Sequence, residues 1–142
     1  MQAKEIMTPM VECVSPEADI EGVARKMKSL DVGFLPVCHD DRLVGTLTDR
    51  DIVVRGIAEG KDVKGVKASE IMTHEVYWCF EDKTADEVAE YMKEKKIRRV
   101  LILNSGKRLV GVISIGDLAK AGEAAKAGET TKNIAEAPPQ AA

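Results

Sequence analysis

The sequence has few of the residues that staple small proteins together. Its three cysteines, Cys13, Cys38 and Cys79, lie far apart with no Cys-x-x-Cys spacing, which excludes a disulfide framework and a zinc ribbon. They are interpreted as small apolar side chains. Cys13 and Cys38 could lie on neighbouring strands, so an oxidised pair stays open, as does a zinc site completed by His39.

Charge of one sign and long apolar runs are also lacking. The net charge is -3 over 142 residues, so no basic surface favours nucleic acid as the main partner. No apolar run is long enough to span a membrane, and the first seven residues lack the apolar stretch of a signal peptide. We therefore expect a cytoplasmic protein that binds neither membrane nor nucleic acid. Its length allows a core without covalent staples.

Catalytic signatures are missing as well. The sequence has no glycine-rich phosphate loop, no nucleophile motif and no histidine cluster with metal-ligand spacing. His39 and His74 are far apart and are expected to be solvated. We predict that the protein is not an enzyme and uses no catalytic cofactor and no metal.

What the sequence does contain is an internal repeat. Residues recur 65 positions apart, and 66 apart after one extra residue near Gly106. The recurring segments are Ile6–Thr8 with Ile71–Thr73, Val23-Ala24 with Val88-Ala89, Met27-Lys28 with Met92-Lys93, Arg42–Gly45 with Arg108–Gly111, and Asp51 with Asp117. Chance does not place so many matches in one register, so the chain is a duplicated unit. We assign residues 1–60 to repeat 1, 61–70 to a linker, 71–120 to repeat 2 and 121–142 to a flexible C-terminal tail.

Each copy has the pattern of a strand, a helix, two further strands and a second helix. The expected elements of the first copy are a strand over Val11–Val14, a helix over 20–30 capped by Asp19, strands over Phe34–Cys38 and Leu43–Leu47, and a helix after Thr48. Those of the second copy are a helix behind the capping box of Thr84 and Glu87, strands over Val100–Leu103 and Leu109–Ile113, and a helix after Ser114. The fold class is α/β (α+β), with the two β-α-β-β-α repeats packed as a pseudo-two-fold pair.

The repeated motifs resemble those of the cystathionine beta-synthase (CBS) domain pair, also called a Bateman module. The segments that carry the resemblance are Ile6–Thr8, Gly33–Val37, Leu43–Asp51, Arg98–Ile102 and Leu109–Asp117. It covers roughly residues 1–120 and is similar to small stand-alone bacterial proteins of two CBS domains. The resemblance implies one adenosine-binding cleft per repeat, where the two repeats meet. It also implies AMP, ADP, ATP, NAD or S-adenosylmethionine as ligand, and a homodimer of disc shape.

The ribose of such a ligand is expected at two matched motifs, Thr48-x-x-Asp51 and Ser114-x-x-Asp117. Each hydroxyl residue stands where a helix begins, and the aspartate follows in the first turn. An ionised carboxylate can accept hydrogen bonds from both ribose hydroxyls. The alternative is that each motif only caps its helix. Its occurrence in both copies, each time after Leu-Val-Gly, favours ligand binding.

Phosphate is expected at Arg98 and Arg99, where the resemblance places a phosphate contact and where the planar guanidinium suits it. The alternative is a solvated surface pair. The first copy has Gly33 and Phe34 instead, so a phosphate there would need Arg50, Arg55 or a residue from the other copy. The two clefts are therefore predicted to differ, all the more because Gly116 replaces Arg50.

Two threonines and an apolar slot complete the predicted sites. Thr8 and Thr73, expected to enter the first strand of each copy, could bond phosphate or ribose, or simply cap a turn. The base slot is assigned to Val11, Phe34, Pro36 and Val76. Pro36 inside a strand predicts an edge or a bulge; its counterpart is Leu101.

Three classes of function follow from these observations. The first is a regulatory module that takes an adenine nucleotide as its ligand and signals to an unidentified protein partner. The second is a ligand-free, stress-associated dimeric scaffold. The third, an enzyme such as a nucleotide hydrolase, is disfavoured by the missing catalytic residues.

Overall fold

The computed structural model describes residues 1–10 and 12–122. Val11 of the predicted base slot, and the predicted tail beyond Gly122, lie outside the described residues. The described chain divides into two compact units. Residues 1–10 and 77–122 form one, called the 77–122 unit, and residues 12–76 form the other, called the 12–76 unit. The boundaries assigned to the repeats and their linker stay a prediction, since each compact unit draws on segments of both copies.

The mixed α/β class is confirmed by the order of the elements. In chain order they are α1 (Ala3–Ile6), β1 (Thr8–Pro9), α2 (Ile20–Leu30), β2 (Phe34–His39), β3 (Arg42–Thr48), α3 (Asp49–Asp51) with a π-helical continuation (Ile52–Ile57), α4 (Ala68–Ile71), β4 (Trp78–Phe80), α5 (Ala85–Lys95), β5 (Arg99–Leu103), β6 (Leu109–Ser114) and α6 (Ile115–Lys120). None of the helices in the described ranges has the length and apolar character needed to cross a membrane.

The 77–122 unit is built on a four-stranded sheet in the order β1-β6-β5-β4. β6 pairs antiparallel with both β1 and β5, whereas β4 runs parallel to β5. The apolar face of α5 packs on this sheet. The fully or almost fully buried side chains of its core include Val88, Met92, Val100, Ile102, Ile113 and Leu118.

The 12–76 unit repeats half of this arrangement. Its β2 and β3 form an antiparallel pair, and side chains of α2 and of the helix that follows β3 share one apolar core with this pair. The core includes Ile20, Val23, Leu35, Val37, Leu47 and Ile71, all at most 2% exposed. Both cores are therefore aliphatic and close without any disulfide between described residues.

The long helices begin where their caps were predicted. The Asp19 carboxylate accepts from the Gly22 N–H at 2.7 Å. Thr84 and Glu87 form the reciprocal capping box, with both hydrogen bonds at 3.0–3.1 Å. These bonds satisfy N–H groups that have no partner within the helix. The predictions for α2, α5 and the four strands of the two hairpins are confirmed, with each observed strand extending one residue or less beyond the expected ends.

The predicted strand Val11–Val14 is wrong. In its described part only Val14 pairs, as an isolated parallel bridge to Val37. In the second copy the Leu101 N–H donates to the Tyr77 carbonyl at 3.1 Å, and β4 forms beside β5. Pro36 occupies the position of Leu101 and has no N–H to donate, so the matching ladder cannot extend. A shift in strand register occurs after Val37, but the second copy has one too, so Pro36 is not its cause.

The prediction that Thr8 and Thr73 lead into the strand Val11–Val14 and its counterpart in the second copy is wrong. Thr8 lies in β1, at the opposite edge of the sheet from β4, with Val112 as its partner. Thr73 forms a bridge with Thr46 of β3, and each N–H donates to the other's carbonyl at 2.9 Å. Each threonine therefore lies beside the second strand of a hairpin, β6 for Thr8 and β3 for Thr73, and that strand leads into the second helix of its copy.

The two recurring motifs Ile-Met-Thr and Leu-Val-Gly are two sides of one contact. A Cβ on Gly45 would lie 2.6 Å from Met72 Sδ and 2.9 Å from the Thr73 carbonyl oxygen. A Cβ on Gly111 would lie 2.8 Å from Met7 Cγ and 2.9 Å from the carbonyl oxygen of the threonine that follows. The strand can approach this closely only because glycine has no side chain.

Candidate functional site

Both Ser/Thr-x-x-Asp motifs form the capping box that the sequence left as the alternative. Asp51 Oδ2 accepts from the Thr48 N–H at 3.0 Å, and the Asp51 N–H donates to Thr48 Oγ1 at 3.1 Å. Asp117 Oδ2 accepts from the Ser114 N–H at 3.0 Å, and the Asp117 N–H donates to Ser114 Oγ at 3.2 Å. The cap uses one carboxylate oxygen of each aspartate, and the second oxygen is where the two motifs differ.

In the 77–122 unit the second oxygen of Asp117 meets a threonine. The Thr8 hydroxyl donates to Asp117, with Oγ1 at 3.2 Å from Oδ1 and 3.3 Å from Oδ2. Thr8 is exposed and Asp117 half-buried. β1 brings Thr8 alongside β6, and Ser114 ends β6, so three predicted site residues come together. We call Thr8, Ser114 and Asp117 the Asp117 site.

In the 12–76 unit the second oxygen of Asp51 faces an arginine. Arg55 Nε lies 3.9 Å from Asp51 Oδ1, one helical turn away. Arg55 Nη1 donates to the Ile71 and Met72 carbonyls at 3.4 and 3.5 Å and to Thr73 Oγ1 at 3.4 Å. Asp51 is only 3% exposed. We call Asp51, Arg55 and Thr73, with Thr48 at the cap, the Asp51 site. Sequence reasoning named Arg55 only as a phosphate alternative, although its i, i+4 spacing from Asp51 was visible.

The two predicted phosphate arginines stand at the start of α6. Arg99 is the cross-strand partner of Ser114, so the two side chains project from the same face of the sheet. The Arg98 carbonyl accepts from the Ile115 N–H at 3.2 Å. Arg98 is exposed and Arg99 half-buried. Both arginines therefore belong to the same end of the sheet as Ser114 and Asp117.

Gly33 and Phe34 occupy the same two positions in the 12–76 unit. The Gly33 carbonyl accepts from the Asp49 N–H at 2.9 Å, and Phe34 is the cross-strand partner of Thr48. Phe34 is buried. An apolar ring thus replaces a cation beside the Asp51 site, as the sequence indicated.

The remaining predicted residues of the 12–76 unit are only partly gathered. Pro36 is buried, lies two residues from Phe34 on the same strand face, and pairs with Thr46, which bridges to Thr73. Val76 is half-buried in irregular chain, two residues before β4 begins, and is not in a strand. Arg50 is exposed in the first turn of α3, where its N–H donates to Asp49 Oδ1 at 2.8 Å. In the part of the chain that the structure describes, the ion pair and hydrogen bond that join Asp51, Arg55 and Thr73 do not include Val76 or Arg50.

A family model described as the CBS domain matches residues 3–56 and 68–124, most of the chain. The chain belongs to the CBS domain family. It carries two copies, as the internal repeat predicted, and is a CBS pair. The resemblance inferred from the motifs is thereby confirmed, and with it the regulatory class of module to which CBS pairs belong.

One related sequence and two solved structures are similar to this CBS pair. Hypoxic response protein 1 of Mycobacterium tuberculosis is 38% identical over 119 residues, which cover 83% of this chain and 82% of its own. A crystal structure of Hypoxic Response Protein I with two coordinated zinc ions matches with a TM-score of 0.74 and 36% identity, over 85% of this chain and 98% of the other. CBSX2 in complex with AMP matches with a TM-score of 0.70 and 21% identity, over 88% and 98%; CBSX2 is a CBS-pair protein of Arabidopsis thaliana. At that identity the last match shows the fold alone.

The zinc alternative from Cys13, Cys38 and His39 is not formed. Within residues 1–10 and 12–122 of this CBS pair, no three His, Cys, Asp or Glu side chains are grouped as metal ligands. His39 ends β2, where its Nε2 lies 3.5 Å from Asp40 Oδ2. Cys13 lies close enough to Cys38 to help raise the pKa of its thiol, and both cysteines are free. Oxidation of that pair stays a prediction.

We expect iodoacetamide to alkylate Cys38 and Cys79 slowly in the folded CBS pair. Burial, together with the nearby Cys13 thiol, raises the pKa of Cys38 to about 12, and burial raises the pKa of Cys79 to about 11. Only the thiolate reacts, and its fraction falls about tenfold for each pH unit below the pKa. Timed alkylation at pH 8 followed by peptide mapping measures this, with the urea-unfolded chain as the control. Equal rates in the folded and unfolded chains would contradict it.

Proposed function

We propose that this CBS pair binds adenine nucleotides and signals their presence to a protein partner. The observation that carries the proposal is the Asp117 site, where Thr8, Ser114 and a half-buried carboxylate converge at the start of a helix. A carboxylate with a partly solvated oxygen can accept hydrogen bonds from the two hydroxyls of a ribose. Thr8 can keep its bond to Asp117, because a carboxylate offers about four acceptor positions.

Phosphate recognition is assigned to the two arginines at the same end of the sheet. Arg99 lies across from Ser114. Arg98 immediately precedes Arg99 in the chain. A guanidinium donates a planar fork of hydrogen bonds that matches two phosphate oxygens. A ribose at Asp117 carrying a 5′-phosphate would therefore place its negative charge at the end of the sheet that carries these cations. This supports AMP, ADP or ATP over uncharged adenosine as ligand, with NAD and S-adenosylmethionine as further members of the class.

Two findings from related proteins support an adenine nucleotide. The family of this chain is that of the CBS domain, and a CBS-pair protein of the same fold was crystallised with AMP. A nucleotide that binds one conformation of the pair better than another shifts the population toward it, which is how a partner would sense it. The proposed role is regulatory and needs no catalytic group, so incubation with ATP should give no product above the buffer control.

The proposal is tested by titrating the purified protein with a panel of adenine nucleotides and measuring the heat of binding by isothermal calorimetry. Native mass spectrometry of the protein as purified adds the subunit count and any bound nucleotide. We propose a homodimer, so the expected species is two chains with nucleotide bound. No heat with AMP, ADP, ATP, NAD or S-adenosylmethionine would reject the nucleotide-sensing role.

A second candidate is a dimeric scaffold without a ligand. It is favoured by the capping boxes, because Asp51 and Asp117 each already satisfy an N–H at the start of their helix. An aspartate retained for capping alone needs no nucleotide. The same calorimetric panel distinguishes the two functions, since the scaffold predicts a dimer that binds none of the nucleotides.

Replacement of Arg98 should separate phosphate binding from adenosine binding. We expect Arg98→Ala to weaken AMP binding about 10-fold or more, because a charge-assisted hydrogen bond contributes about 1.5–3 kcal/mol. Adenosine affinity should change little. Calorimetry with both ligands measures the two effects, and Arg42→Ala, an exposed arginine at the start of β3, is the matched control. Equal losses for AMP and adenosine would remove the phosphate role of Arg98.

A further inference from the structure

One residue makes the two aspartate sites chemically different. Arg55 stands one helical turn after Asp51, and the repeat offset of 66 residues places Ala121 at the same position after Asp117. The consequence is visible in the threonines. Thr8 donates directly to the Asp117 carboxylate, whereas Thr73 accepts from the Arg55 guanidinium. A methyl group cannot replace the size or the charge of a guanidinium, so the cation one helical turn after the aspartate is present at the Asp51 site and replaced by Ala121 after Asp117.

We infer that Arg55 occupies the Asp51 site as an internal substitute for the ligand, so that AMP fills the Asp117 site alone until Arg55 is displaced. This inference rests on the proposed nucleotide binding and specifies how the two sites of one chain are used. It assigns to Arg55 a blocking role, in contrast to the phosphate-binding role that its charge alone suggests.

The two carboxylates differ in how accessible they are to a ligand. Asp51 is 3% exposed; its Oδ2 accepts from Thr48, and its Oδ1 faces Arg55. A ribose hydroxyl could reach this carboxylate only after the guanidinium moved away. Asp117 is half-buried and its extra partner is a neutral hydroxyl. A hydroxyl rotates and can both donate and accept, so it can remain in place beside a bound ribose.

The contacts of the Arg55 guanidinium hold it within the Asp51 site. Besides its ion pair with Asp51 at 3.9 Å, Arg55 donates to the carbonyls of Ile71 and Met72 and to the Thr73 hydroxyl. These distances, 3.4–3.5 Å, are at the long end of the hydrogen-bond range, so each bond is weak and together they set an orientation. The donors point at protein acceptors within the site. Because the side chain is 45% exposed, it has solvent to move into, and displacement remains available to a strong ligand.

The experiment counts the AMP molecules bound per chain by isothermal calorimetry in wild type and in two Arg55 variants. Arg55→Ala removes the guanidinium and the stem, and Arg55→Met removes the donors but keeps an apolar stem of similar length. We expect one AMP per chain in wild type and two in both variants. The second equivalent should disappear again when Asp51→Ala is added. Arg25→Ala is the matched control, because Arg25 also forms an i, i+4 ion pair, with Glu21 at 2.6 Å in the same unit, and it should leave the count at one.

The outcomes separate this inference from the proposed function. Two equivalents in wild type, or weaker AMP binding in both Arg55 variants, would overturn the blocking role while nucleotide binding stands. One equivalent in every variant would overturn it as well. If neither the wild type nor the two folded Arg55 variants bind AMP, the result would instead contradict the proposed function itself. Circular dichroism melts of each variant establish that the chains compared are folded.

Discussion

Gly111→Ala should lower the free energy of unfolding by about 1–3 kcal/mol, the usual cost of overpacking a tight contact. The new Cβ would lie 2.9 Å from the Thr8 carbonyl oxygen and 2.8 Å from Met7 Cγ. A side chain can turn aside, but the carbonyl oxygen belongs to β1, which is paired with β6 at this point. Urea denaturation followed by circular dichroism measures the change. Gly45→Ala should behave alike, since the Thr73 carbonyl stands at 2.9 Å.

Two variants test the cause of that destabilisation. Gly106→Ala is a control in the same unit, because its nearest neighbour, Asn104 Oδ1, is 3.4 Å away, and it should cost less than Gly111→Ala. In a Met7→Ala background the cost of Gly111→Ala should shrink, because part of the clash is with Met7, and a double-mutant cycle reports that coupling. If Gly111→Ala has the same urea midpoint as the wild type, the close approach of β1 to β6 does not require glycine at this position.

The same contact shows where sequence reasoning succeeded and where it stopped. The repeat of Ile-Met-Thr and Leu-Val-Gly was plain in the sequence, and so was their order. Their meeting was not, since Met7 and Gly111 are more than 100 residues apart. Local patterns carry no information on which distant strand a segment pairs with. That is why Thr8 was expected to lead into the predicted strand Val11–Val14, and its pairing with β6 was not predicted.

Elements determined by neighbouring residues were predicted well. α2 and α5 follow from apolar spacing and from caps within the first turn, at Asp19 and Thr84, and both begin where expected. The strand at Val11–Val14 failed for a different reason. Its sequence resembles a strand, but the partner that had to donate a hydrogen bond is Pro36, more than 20 residues away. Pro36 was interpreted as a sign of an edge or a bulge, and its effect on the pairing of another segment was not predicted.

The site shows the same division between local and distant partners. Both capping boxes could be read from four consecutive residues. The partner of the second carboxylate oxygen could not, because it depends on Thr8 in one case and on Arg55 with Thr73 in the other. The prediction that the two sites differ was made from Arg98 and Arg99, which have no cationic counterpart in the first copy, and from the replacement of Arg50 by Gly116. The structure adds a second source of difference at the carboxylates themselves.

Asp117→Ala should weaken AMP binding about 100-fold, which corresponds to about 2.7 kcal/mol. The removed carboxylate would accept charge-assisted hydrogen bonds from the ribose hydroxyls, each contributing about 1.5–3 kcal/mol and not additive. The variant also loses the cap of α6, at a cost of about 1 kcal/mol in stability. Calorimetry at protein concentrations that keep the variant folded measures the affinity.

Asp51→Ala is the matched control, because it removes the same carboxylate from the same capping box at the start of α3. If Arg55 blocks the Asp51 site, this variant loses comparable stability yet binds its first AMP with wild-type affinity. The contrast between the two aspartates therefore separates a ligand contact from a helix cap, which a single substitution cannot do. Equal AMP affinity in Asp117→Ala and wild type would place the ribose elsewhere and leave both aspartates as caps.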